Sequence, residues 1–126
     1  MTAILEHANF TVRDPKATAA WMHDVFGWKT RWEGEAISGG FTVHVGSTHT
    51  YLALYTPGAP NPASGKSYDN VGGLNHIGVL VEDFDDTEKK VRNAGFTPGE
   101  HHEYEPGRRF YFRDDNDIEF EVVSYE

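Results

Sequence analysis

A chain of 126 residues has room for one core, since domains commonly run to about 100–150 residues. Its 38% hydrophobic and 13% aromatic residues can fill an interior, while 11 Lys and Arg against 20 Asp and Glu leave a formal charge of −9. That charge repels a phosphate backbone, so neither nucleic acid nor an anionic membrane surface is an expected partner. The absence of cysteine excludes disulfides, thiolate nucleophiles and Cys-held zinc, and any metal falls to His, Asp or Glu.

No apolar run approaches the roughly 20 residues of a membrane helix. The stretch from Met1 to His7 has neither the basic nor the apolar region of a signal peptide. A cytoplasmic protein is the expectation.

In chain order, the first predicted element is a strand over 5–12, whose alternation puts Leu5, His7 and Asn9 on one face and Glu6, Ala8 and Phe10 on the other. Asp14-Pro15 then reads as a helix start, with a capping carboxylate followed by a proline at the position where a missing N–H costs nothing. The helix should run over 15–26, bury Ala20, Trp21, Val25 and Phe26, and end in a left-handed turn at Gly27. Three strands follow at about 29–34, 40–45 and 50–56, separated by Gly-containing turns. Residues 57–70, rich in Pro, Gly and Ser, read as a linker.

Beyond it, a strand near His76 shares a face among Leu74, His76, Gly78 and Leu80. A second helix opens at 83–86 and ends at Gly95, with Val91 and Ala94 inward and Glu88, Lys89, Lys90 and Arg92 as its solvated side. Strands at about 97–102, 108–112 and 118–124 complete the chain, broken by Pro106-Gly107 and by the four-residue turn from Asp114 to Asp117.

The two halves repeat. The segment from His7 to Asp14 matches that from His76 to Asp83 at His, Val and Asp with one offset of 69, and Gly27-Trp28 answers Gly95-Phe96 at 68. Each half therefore reads strand, helix, strand, strand, strand. The predicted fold is α+β, with module one at 4–56, a linker at 57–72 and module two at 73–125.

Four residues stand out chemically. His7 and His76 occupy equivalent places on the two leading strands, and two neutral imidazoles facing one another make half of a transition-metal site. In the last strand, Glu119 and Glu121 share a face although the surrounding composition says buried, and buried carboxylates are usually paired or bound to metal.

The duplicated module, with Asp14-Pro15 after a His-bearing strand, resembles the vicinal oxygen chelate superfamily, which includes glyoxalase I, extradiol dioxygenases, fosfomycin resistance proteins and bleomycin resistance proteins. The resemblance covers nearly the whole chain and implies curved mixed sheets around a cavity. It places His7, His76 and Glu121 at metal-ligand positions, with iron(II) or manganese(II) favoured over zinc or nickel. The matching ligand position in module one is Ala53, where glyoxalase I-like enzymes use a fourth ligand. His49 and Tyr51 share its strand parity as substitutes.

Two His and one carboxylate leave three positions for a chelating substrate and dioxygen. The extradiol signature is echoed by His102, Tyr111 and Glu121, although Asp115 and Asp117 replace its proline and glycine. Ring cleavage is thus the leading expectation, with Tyr111 steadying a substrate oxyanion and His102 as acid or base. Two other enzymes remain open: a glyoxalase-type lyase, and a fosfomycin-type transferase in which the pair Arg108-Arg109 would hold a phosphonate. A metal-free sequestering protein, with Trp28, Trp32, Tyr51 and Tyr55 around a crevice, is the non-enzymatic alternative. A small-molecule substrate and a homodimer are the expected partners.

Overall fold

A computed structural model describes residues 1–36, 39–104 and 107–126, Tyr104 through its backbone alone. The chain divides into two compact units, Met1–Asn61 and Pro62–Glu126. The first contains β1 (His7–Thr11), α1 (Pro15–Phe26), β2 (Lys29–Glu35), β3 (Phe41–Gly46) and β4 (Tyr51–Thr56). The second contains a short 3-10 turn at Ser67–Asp69, then β5 (Ile77–Leu80), α2 (Phe84–Asn93), β6 (His102–Tyr104), β7 (Gly107–Arg113) and β8 (Glu119–Ser124).

Both sheets have one topology. The strand orders are β1-β4-β3-β2 and β5-β8-β7-β6; each leading strand runs parallel to the last strand of its unit, and the remaining pairs are antiparallel. This is the α+β arrangement of two βαβββ modules that the repeat predicts. A parallel return requires a crossover, and the helix of each unit provides part of it.

The caps explain where the helices begin. Asp14 accepts from Ala17 N at 3.1 Å, and Asp83 from Asp86 N at 2.9 Å. Gly27 closes α1 at φ 73°, its N–H donating to His23 O, because a left-handed terminus suits a residue without Cβ. The buried stripe of α1 differs from the prediction: Thr18, Ala19, Trp21, Met22 and Val25 face inward, Ala20 is exposed and Phe26 is half-buried. Spacings of four and three link Thr18, Met22 and Val25 along one side, and the fully buried Met22 rather than Phe26 lies at its centre. In α2 the stripe is Phe84, Thr87 and Val91. Ala94 is only half-buried and forms the cap.

Period-two alternation sorts each sheet into two faces. Val43, Val45, Leu52 and Leu54 form the buried face of the first, while Val79, Phe110, Phe112, Phe120 and Val122 form that of the second, which meets α2 through the edge-on contact of Phe84 with Phe110. The opposite faces carry the polar and aromatic residues. The turn expected at Pro106-Gly107 lies partly outside the described residues; the sixth strand is shorter and later than expected, at His102–Tyr104.

Candidate functional site

On its polar face the second unit assembles a connected cluster. Strand β8 places Glu121 directly across from Gly78 on β5 and from Tyr111 on β7, and His76 immediately precedes β5. A Cβ built at Gly78 would lie 3.7 Å from Glu121 Oε1, so the glycine leaves that side of the carboxylate uncovered. Arg109 lies two residues before Tyr111 on the same side of β7. The site is therefore a product of register: one slip along β8 would turn Glu121 into the apolar layer.

Both carboxylate oxygens are engaged. Arg109 Nη1 donates to Oε2 at 2.9 Å and the Tyr111 hydroxyl donates to the same oxygen at 3.2 Å. Oε1 faces His76 Nε2 at 3.2 Å. The side chains of Arg109 and Glu121 are only 15% and 12% exposed, which makes this a largely desolvated ion pair rather than a surface one. His102 meets Tyr111 edge-on with ring centroids 6.3 Å apart. His76, Glu121, Tyr111 and His102, four of the five residues singled out from sequence, thus belong to one face of one unit.

His7 belongs to the first unit, at the corresponding register position. Its Nδ1 contacts Glu6 Oε1 at 2.9 Å, as His76 Nδ1 contacts Asn75 Oδ1 at 2.7 Å. In each case the residue before the histidine holds Nδ1 and leaves Nε2 for another partner, the outer support that metal-binding imidazoles commonly have. The hydrogen bond from His7 is the main cause that lowers the carboxyl pKa of Glu6.

The corresponding face of the first unit is aromatic. His7 stacks on Tyr51 and Tyr51 on His44, with centroids 4.8 and 4.7 Å apart. Trp32 packs against His44 and the Arg31 guanidinium lies over the Tyr51 ring. Desolvation, then the charges of His7 and Arg31, pushes the His44 pKa down. Desolvation and the Glu6 carboxylate push that of Tyr51 up. Ala53 pairs with Asn9 and His44 just as Glu121 pairs with Gly78 and Tyr111, so the register independently makes Ala53 the counterpart of Glu121. His49 is exposed in the turn before β4.

Several sequence readings are refined. Arg108 and Arg109, adjacent in sequence, serve opposite faces: Arg108 lies over Phe84 and bonds Glu103, whereas Arg109 holds Glu121. His101 and His102 part in the same way, His101 going to Glu88 at 2.6 Å. Glu88 is thereby removed from the solvated side of α2. Trp28 packs on Phe26 and its carbonyl accepts from His23, while Tyr51 and Trp32 join the His44 cluster. Strand parity puts Arg109 on the side of Tyr111, and the register of β7 with β8 brings both to Glu121.

The turn from Asp114 to Asp117 also gains an explanation. Asp117 has φ 61°, the left-handed region, at the place where the extradiol signature has glycine. Buried Asp114 accepts from Asn116 N and Ile118 N. Burial nevertheless raises its pKa. Glu119 is likewise raised, first by desolvation and then by the neighbouring Glu121.

The donor chemistry of the second unit suits a cation. With Nδ1 donating to Asn75, His76 turns the lone pair of Nε2 toward Glu121 Oε1, and two acceptors are stable face to face only with a proton or metal ion to share. His76 and Glu121 supply two donors; within this unit, among the described residues, no third His, Asp or Glu completes a metal-holding group with them. No helix is long and apolar enough to cross a membrane among the described residues.

A family model described as the Glyoxalase/Bleomycin resistance protein/Dioxygenase superfamily matches residues 4–122. No curated protein matches by sequence. Among solved structures, the glyoxylase/bleomycin resistance protein/dioxygenase domain from Frankia sp. EAN1pec is similar at 20% identity and a TM-score of 0.80, covering 100% of this chain and 93% of that one. The fosfomycin resistance protein FosX from Mesorhizobium loti is 24% identical with a TM-score of 0.74, over 98% of this chain and 92% of its own. FosX from Listeria monocytogenes, solved with Mn(II) and sulfate, is 17% identical with a TM-score of 0.76, over 98% and 93%. At these identities the likeness is one of fold.

Proposed function

The chain belongs to the glyoxalase/bleomycin resistance protein/dioxygenase superfamily, and from that premise we propose that it is a divalent-metal enzyme acting on a small substrate with two neighbouring oxygens. The observation that carries this reading is the 3.2 Å approach of His76 Nε2 to Glu121 Oε1, two donors converging on one face. His7 is the third proposed donor. Iron(II) or manganese(II) suits mixed nitrogen and oxygen ligands with open positions, and manganese occurs in one FosX of this fold. When bound, such an ion supplies Lewis acidity to a substrate oxygen.

The chain's own groups do the rest. His76 and Glu121 would hold the ion, and Asn75, accepting from Nδ1, leaves Nε2 for it. The Tyr111 hydroxyl donates to Glu121 Oε2, and His102, edge-on to Tyr111, is the imidazole proposed for proton exchange. Ring cleavage of a catechol by dioxygen is the leading reaction, supported by Tyr111 and His102 standing on the face of Glu121. Opening of an epoxide by a thiol is the second, supported by the positive Arg109 on that face and by the likeness to FosX.

Metal content after reconstitution tests the reading. Iron or manganese should bind near one equivalent in the wild type and be lost in His76→Ala, Glu121→Gln and His7→Ala; undiminished metal in those variants would refute the ligand set. An anaerobic iron(II) enzyme given a catechol panel and then oxygen should turn yellow, while epoxide consumption without oxygen would select the second reaction. Ligand binding without turnover in either assay would leave a sequestering protein. A homodimer is part of the proposal, and sedimentation showing only monomer at tens of micromolar would remove it.

A further inference from the structure

The cation already beside Glu121 has a consequence for metal binding. Arg109 is held 2.9 Å from Oε2 on the side of the carboxylate away from His76, and both charged side chains are mostly withdrawn from water. Arginine cannot give up its proton at this site, so its charge stays whether or not a metal is present. We propose that Arg109 is a resident counter-cation of Glu121: it stabilises the metal-free carboxylate, restricts Glu121 to a single donor oxygen, and opposes the entry of a divalent ion. The inference rests on the metal-site reading above.

Two effects of Arg109 act in opposite directions. It places the carboxylate, which favours binding, and it repels a second cation a few ångströms away, which opposes binding. Tyr111 also donates to Oε2 at 3.2 Å, so placement has a neutral helper. Repulsion of a second cation acts across a poorly solvated gap, where charge is weakly screened. Charge therefore outweighs placement, and the protein is built to fold with an empty site and to hold its metal in exchange with solution. Arg109 is a positioning and affinity-setting residue, acting through Glu121.

The test is manganese(II) binding by titration calorimetry on the wild-type chain, Arg109→Gln, Arg109→Met and Arg109→Lys, each with its thermal unfolding measured metal-free. Arg109→Gln keeps a donor for Oε2 without the charge and guards against loss of the fold in Arg109→Met. Both neutral variants should bind manganese at least tenfold more tightly than the wild type and should unfold at lower temperature when metal-free; Arg109→Lys should stay within about threefold of the wild type, because the charge remains. Unchanged or weaker binding by Arg109→Gln would overturn the proposal, as would equal tightening by Arg109→Lys. His76→Ala separates the two levels. If it abolishes wild-type binding while the Arg109 variants do not tighten, the metal site stands and the counter-cation role falls; if it leaves binding untouched, both fall.

Discussion

The two units have the same strand order and nearly the same register, yet one face became a charged network and the other an aromatic stack. At the central position of that face the second unit has Glu121, with Arg109, Tyr111 and His76 around it; the first has Ala53, covered by a face on which His7, Tyr51 and His44 stack. The difference teaches that a buried charge is not a single-residue change. Glu121 is tolerated at 9% exposure because β7 delivers a guanidinium and a hydroxyl to one of its oxygens. The first unit, with alanine at that position, carries stacked rings on the same face.

The sharpest way to break the comparison is to delete its charged centre. Glu121→Ala leaves Arg109 buried without its carboxylate, and removing one partner of such a pair costs about 3–5 kcal/mol. Urea unfolding of the metal-free protein should show that loss, and a change under 1 kcal/mol (about the value of an exposed pair) would mean the network is only superficially desolvated.

The reciprocal change is Ala53→Glu. Ala53 is 2% exposed and β3 presents His44 opposite it rather than an arginine, so a carboxylate there should cost about 3 kcal/mol. Urea unfolding at neutral pH reads the loss. A variant as stable as the wild type would show that Arg31, whose charge already acts on His44, offsets the new carboxylate.

The hairpins between the last two strands offer a third contrast. Ser47 follows β3 in the first unit and bonds within an exposed turn; Asp114 follows β7 in the second and is buried, accepting from Asn116 and Ile118. Asp114→Ala should cost about 2 kcal/mol through its abandoned N–H groups, while Asp114→Asn should cost less. Because burial raises the Asp114 pKa in the folded state, its contribution to stability is greatest below the ordinary Asp range and is lost as pH rises through the raised value. Stability measured upward from acid pH should show this slope in the wild type and lack it in Asp114→Asn.

The smallest effect should also be the most alike in the two units. Asp14→Ala and Asp83→Ala each remove one helix-capping bond and should cost about 1 kcal/mol. Thermal unfolding that separated them widely would show that Pro15 or Thr87, whose hydroxyl bonds the Asp83 carbonyl, changes the value of the cap.

Alternation, spacing and capping residues alone gave the paired modules, both helix starts and the common face of Glu119 and Glu121; the matching of Ala53 to Glu121 joined the repeat offset to the family resemblance. These are local or periodic properties. The placement of His7, His76 and Glu121 as metal ligands came instead from the family resemblance, and binding experiments decide it. Phe26 and Met22 exchanged importance because two apolar stripes fit one helix, and only the sheet beneath selects between them.

What the sequence determined by itself was the element order, the repeat and the parity of each side chain, because these depend on backbone periodicity and on caps within a few residues. Tertiary structure alone decided that Arg108 and Arg109 serve opposite faces and that Arg109, not solvent, balances Glu121. Those partners lie on neighbouring strands, 12 residues apart for Arg109 and Glu121, and their meeting depends on strand register and on the desolvation that makes an ion pair worth forming.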